Sequence, residues 1–120
     1  MNWSGKSVLF VALNLFFIGW LAVILTLLLR VLNGEDPLAL FGVLVADIAF
    51  LGVGIGLALL NKSYPIAAAN RLLPFIAFIG LTAVAVMNVS DATLWFGVGL
   101  SVALIIASII TAVAVLGRRS

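Results

Sequence analysis

Residues 8–29 read VLFVALNLFFIGWLAVILTLLL, a stretch without a single charge. A membrane-spanning α-helix needs about 20 mostly apolar residues at about 1.5 Å of rise each. This stretch is long enough, and the apolar run continues past Arg30 to about Leu32. The apolar core of a cleaved leader is only about 7–15 residues long, so the run is read as a retained span. Three further runs follow it, and the expected spans are 8–32, 38–60, 66–88 and 93–116. The fold class expected is an all-α integral membrane protein, a four-transmembrane-helix bundle forming a single domain over residues 1–120.

Composition points the same way. Hydrophobic types make up 66% of the 120 residues and charged types 8%, with a mean hydropathy of +1.42. A soluble domain averages about 45–50% apolar and about 25% charged. Six basic and four acidic side chains are too few to wet the surface of a 12.6 kDa globule. Disorder would need low hydrophobicity and high charge. The absence of cysteine excludes disulfides, thiolate metal sites and thiol catalysis. The absence of histidine removes imidazole acid–base chemistry and His-ligated haem or zinc. Gly52-Val53-Gly54-Ile55-Gly56 lies inside an apolar span, not between a strand and a helix, so it is no dinucleotide fingerprint. Neither a nucleophile elbow nor a P-loop occurs. No cofactor, no metal and no enzyme activity are expected. A net charge of +2 without a basic stripe argues against nucleic acid as a partner.

The breaks between spans carry turn chemistry. Asn33-Gly34-Glu35-Asp36-Pro37 supplies a helix stop, a glycine, an N-cap Asp and a proline for the first helical position. Asn61-Lys62-Ser63-Tyr64-Pro65 plays that part between the second and third spans, and Asn88-Val89-Ser90-Asp91 between the third and fourth, with Asp91 as the expected N-cap. Starting the third span at Pro65 leaves Arg71 in its second turn, where it would snorkel to the headgroups, and makes Pro74 a mild kink. Starting near Leu73 would leave a short span, so the first option is preferred. Orientation follows from the bias of Lys and Arg. With the N-terminus inside, Lys6, Lys62, Arg71, Arg118 and Arg119 lie inside and only Arg30 outside, beside Glu35 and Asp36. The chain is thus expected in the cell membrane with both termini cytoplasmic. Trp3, Tyr64 and Trp95 fall near the expected interfaces.

An internal repeat is a second possibility in the pattern. A shift of 55 aligns Phe41-Gly42-Val43 with Phe96-Gly97-Val98 and Asp36 with Asp91, and a shift of 61 aligns Phe17-Ile18-Gly19 with Phe78-Ile79-Gly80. Two hairpins that both start and end inside would make a parallel 2+2 repeat, its axis along the membrane normal. Against this, apolar helices share a small alphabet, and Asn stops and Asp caps recur by chemistry alone.

Small residues mark packing faces, because lipid gives helices no hydrophobic drive to associate. On the second span Gly42, Ala49, Gly52 and Gly56 share a sector, with Gly54 and Ala58 on the side of Asp47. On the fourth, Gly97, Ser101, Ser108 and Ala112 form one stripe and Gly99, Ala103 and Ala107 another. Two faces per helix exceed what one bundle needs. One is expected to pack within the chain and the other against a second copy or other membrane-protein subunits, unless lipid alone covers it.

Asp47 is the sharpest chemical feature. It lies about 13 Å from the outer end of its span at about 1.5 Å per residue, near the midplane, where the charged form of a carboxyl is costly. Thr82 and Ser101 are expected at a similar depth and Asn14 about a turn nearer the inside, so Asp47, Asn14, Thr82 and Ser101 form a candidate polar cluster. Three roles fit: a proton- or cation-coupling site, a protonated carboxyl acting as interhelical glue, or a contact to a cation on another subunit. Ser108, Thr111, Thr26 and Thr82 can each bond to their own helix carbonyls. Glu35, Asp36 and Asp91 are explained by caps and loop solvation.

In size and in its four spans the chain resembles the small multidrug resistance transporters and the small fluoride channels. The multidrug family's hallmark is a membrane-embedded Glu in the first span; here that span has no acid, and Asn14 is its most polar residue. The function expected is that of a structural or accessory subunit packing against other membrane helices. The alternative is a small homo-oligomeric transporter or channel using Asp47 for proton or cation coupling.

Overall fold

The computed structural model of the chain describes residues 5–34, 38–87 and 90–118. They form four helices: α1 (Gly5–Leu32), α2 (Ala39–Leu60), α3 (Ala68–Val86) and α4 (Asp91–Gly117). Each is long and apolar enough to cross a membrane. Together they make a rod of 48 × 20 × 19 Å, against about 30 Å for a bilayer's hydrocarbon core.

The helices pack in a ring in chain order, and α4 closes it against α1. Every neighbouring pair is antiparallel. Along α1, Leu13, Trp20 and Leu27 meet Gly56, Ala46 and Gly42 of α2, in descending order. Asp47 and Gly54 of α2 meet Thr82 and Phe75 of α3. Both ends of the helical array and the α2–α3 loop therefore share one end of the rod, called here the terminal end. The last turns of α1 and α3 and the first turns of α2 and α4 share the far end.

One rhythm sets the core. α1 buries Ser7, Phe10, Asn14, Phe17, Leu21, Ile24 and Leu28, in alternating steps of three and four. α4 buries Leu94, Gly97, Ser101, Leu104, Ser108 and Val115 on the same beat, with half-buried Thr111 at the remaining position. A seven-residue seam packs as a left-handed supercoil. Phe17 and Phe50 meet edge to face inside it, ring centroids 5.4 Å apart. The outward positions are equally apolar: Leu15, Phe16, Val23, Ile106 and Ile110 are all exposed. Such a surface is compatible with a membrane protein.

The seams also bear on the sequence repeat. Phe10, Asn14, Phe17, Leu21 and Ile24 of α1 correspond in burial to Asn70, Pro74, Ala77, Leu81 and Val84 of α3, a shift of 60. Val43, Asp47, Phe50 and Gly54 of α2 correspond to Gly97, Ser101, Leu104 and Ser108 of α4, a shift of 54. Each shift is one residue less than the one that aligns the sequences. At the sequence shifts, buried Phe17 faces half-buried Phe78, and buried Val43 faces half-buried Val98. Seven-residue seams superpose at some shift whatever their origin, so matched burial carries no argument for duplication.

The turns differ in detail from expectation. Gly34, at φ +73°, follows α1 as a left-handed stop. Glu35, Asp36 and Pro37, with the cap expected of Asp36, lie outside the described residues, as do Asn88 and Val89. α3 starts at Ala68, later than Pro65, because the preceding loop is tied down: Ile66 N–H donates to Asn61 Oδ1 at 2.7 Å. Arg71 is half-buried and folds back, its Nε donating to the Ile66 carbonyl at 3.2 Å. The N-cap of α4 is Ser90 in extended conformation, not Asp91, which occupies the first turn. A carboxylate there still faces the positive end of the helix dipole.

Glycine positions divide sharply. A Cβ on Gly54 would stand 2.5 Å from the Phe75 ring, whereas one on Gly52 would meet nothing within 4 Å. Overpacking a filled core costs about 1–3 kcal/mol. Gly54→Ala is therefore expected to lower the thermal midpoint of the detergent-solubilised chain, followed by circular dichroism, and Gly52→Ala to hold or slightly raise it.

Candidate functional site

Two interhelical polar constellations lie at different heights in the interior, apart from the Ser7–Tyr64 hydroxyl pair at the terminal end. Nearer the terminal end lies an amide layer. Asn14 of α1 donates from Nδ2 to its own Phe10 carbonyl at 3.0 Å. Its Oδ1 accepts from Asn70 Nδ2 at 2.9 Å and from Ser108 Oγ at 3.1 Å. Asn70 Nδ2 also donates to Thr111 Oγ1 at 2.8 Å, and Thr111 Oγ1 donates to the Ala107 carbonyl at 2.7 Å. One layer thus ties α1, α3 and α4 together, and reaches across the ring from α1 to α3. It contains no charged group. Asn70 is 1% exposed, and its Oδ1 has no hydrogen-bond partner.

The second constellation lies toward the middle of α2. Asp47 is 0% exposed. Thr82 Oγ1 on α3 donates to Asp47 Oδ2 at 2.7 Å, and Asp47 Oδ1 has no partner. The residue before it is bonded too: Trp20 Nε1 on α1 donates to the Ala46 carbonyl at 2.7 Å. Asn70 and Thr82 are separated by about 18 Å of α3, at about 1.5 Å per residue. Buried Phe17, Phe50 and Ala77 belong to the stretch between. No polar chain links the two constellations among the described hydrogen bonds.

The four residues grouped from the sequence are therefore divided. Asp47 and Thr82 are bonded. Asn14 belongs to the amide layer. Ser101 is fully buried and donates to the Gly97 carbonyl of its own helix at 2.9 Å. Thr26 likewise bonds back to Ala22. Ser108 and Thr82 instead bond across helices, and Thr111 does both. Asn70 and Trp20 are the participants the sequence reading passed over. Asn70 had little signal, because it lies in the first turn of α3, where an asparagine reads as part of a helix start. Trp20 had none, because an indole in an apolar run reads as bulk.

The packing glycines fall into two sets. Gly42 and Gly56 rest on Leu27 and Leu13 of α1, Gly54 abuts Phe75, and a Cβ on Gly97 would stand 3.0 Å from Val84 and 3.1 Å from Leu28. Gly52 and Gly99 face outward with nothing within 4 Å, and Ala103 is exposed beside Gly99. Apolar recesses among the described residues indent the outer surface. One of about 330 Å³ between α3 and α4 is lined by Gly80, Met87 and Phe96, and one of about 160 Å³ between α1 and α4 has Asn14 as its one polar residue.

Chemically, the amide layer suits fixing helix register, since every pairing is specific and neutral. The Asp47–Thr82 pair is an acid held by one hydroxyl in apolar surroundings. Among the described residues, no three of His, Cys, Asp and Glu come together as a metal site. No protein-family model matches the chain, and neither curated proteins nor solved structures give a match.

Removing one member of a buried network strands the others, at about 1–3 kcal/mol per unsatisfied group. Within membranes, interhelical hydrogen bonds average nearer 0.6 kcal/mol. Asn14→Leu and Asn70→Leu are each expected to destabilise the bundle by about 1 kcal/mol. The double variant should fall clearly short of the sum, because the second change strands fewer new groups. Unfolding titrations in mixed micelles check the coupling.

Proposed function

We propose that the chain is a small multi-pass subunit of the cell membrane that packs against other membrane helices, in homo-oligomers or beside other subunits, with both termini cytoplasmic and no catalytic role. The supporting observation is the division of its small residues. Gly54 and Gly97 lie in tight internal contacts, yet Gly52, Gly99 and Ala103 face outward with nothing of this chain upon them. In lipid, helices associate by close approach through such residues. The polar side chains inside the bundle are mostly spent on one another, which fits a scaffold.

The native chain has no cysteine, so Gly52→Cys and Ala103→Cys give clean crosslinking probes in native membranes. A crosslinked second copy or partner is expected with both. Recovery of monomer alone from both would refute the reading. A terminal tag accessible only from the cytoplasm checks the orientation that Lys6, Lys62, Arg71, Arg118 and Arg119 suggest.

A second reading rests on Asp47 itself. A fully enclosed carboxyl with one unpartnered oxygen is an expensive way to hold two helices together. It favours a proton- or cation-coupled transporter in which helix movement opens a path to Asp47. Because Asp47 is 0% exposed, a cation on a neighbouring subunit cannot reach it without such movement. Asp47→Asn keeps the shape and removes the titration. In vesicle flux assays the transporter reading expects it to abolish coupled proton or cation movement, and equal flux in the variant would eliminate the coupling role.

A further inference from the structure

The amide layer holds an unmet demand at one residue. Asn70 Nδ2 is fully used, donating to Asn14 Oδ1 at 2.9 Å and Thr111 Oγ1 at 2.8 Å. Turning the amide over would aim Oδ1 at the Asn14 oxygen, so the orientation is fixed by its neighbours. Oδ1 is thereby left without a donor while Asn70 is 1% exposed. A second acceptor on the same residue lacks its usual α-helical donor. Pro74 lies inside α3 four residues on, and a proline has no N–H to give the carbonyl of residue i−4, here Asn70.

A buried acceptor without a donor is costly, and two on one residue call for a ligand that donates twice. We propose that Asn70 is a binding site for an ordered water molecule that donates to its Oδ1 and to its backbone carbonyl. Three observations select water over a cation. The layer carries no acidic group to offset a positive charge. Asn70 is the third residue of α3, where the helix dipole presents its positive end. The hydroxyls of the layer and both N–H groups of the Asn70 amide already have acceptors, so Oδ1 lacks only a neutral donor. Supply is close at hand, since Asn70 stands only about 3 Å along the axis from the first residue of α3 at about 1.5 Å per residue. Buried waters hold their places through about three hydrogen bonds to groups of this kind. The water would solvate the proline interruption of α3 and complete the layer.

The test is water-to-protein magnetisation transfer in the full chain, in micelles or nanodiscs. The side-chain amide of Asn70 is read against the Trp20 indole, whose N–H is bonded to the Ala46 carbonyl. A persistent water cross-peak is expected at Asn70 and none at Trp20. Pro74→Ala supplies an N–H to the Asn70 carbonyl and should weaken the cross-peak. Asn70→Leu should abolish water transfer to the Asn14 amide, and should it fail to fold, the wild-type measurement decides alone. An Asn70 amide as dry as the Trp20 indole would overturn the proposal. Asn70 resonances that titrate to saturation with sodium or potassium but not with choline would overturn it as well, in favour of a cation.

Discussion

The bundle depends on the placement of a few polar groups in helices that are apolar on every side. Where inward and outward faces are equally hydrophobic, burial of oily surface does not choose which face turns in. The choice falls to groups that lose more by facing out. Asn14, Asn70, Asp47, Ser101 and Ser108 are all buried, and each sits on its helix's seam. The amide layer orients α1, α3 and α4 toward one another, and Asp47 and Ala46 orient α2 toward α3 and α1. The aromatic and aliphatic core then fills the space those bonds define.

That division of labour explains what could be read in the sequence. Four apolar runs and their breaks gave the helices and their order, because length and charge decide whether a run can span. The boundaries shifted by a few residues where local bonds intervened, as Asn61 does in holding Ile66 and delaying α3 until Ala68. The seam itself was hidden. Steps of three and four are visible only when the other positions are polar, and here Leu15, Phe16, Ile106 and Ile110 occupy the outer face.

The candidate site was legible in part for the same reason. Asp47 and Thr82, which depth alone places near one another, are hydrogen-bonded, since equal heights on antiparallel helices bring residues together. Ser101 shares that depth, yet its hydroxyl is spent on Gly97 of its own helix. Depth alone does not say which way a small hydroxyl turns. Asn14 lies at another height, six residues of α1 away from the Trp20 that meets Ala46, and pairs with Asn70 there. Asn70 was masked by its setting between a charged residue and a proline, in a turn that reads as a helix start.

The bond from Asn14 to the Phe10 carbonyl has a bearing on biogenesis. A helix entering lipid on its own must satisfy its polar groups locally, and this one covers its amide donor by reaching back one turn. The amide oxygen has no such local answer. Its partners, Asn70 and Ser108, are synthesised only with the second hairpin. The first hairpin can close through Trp20 and Ala46, but on its own it leaves that oxygen unpaired. That oxygen gives the first hairpin an acceptor that only the second hairpin satisfies.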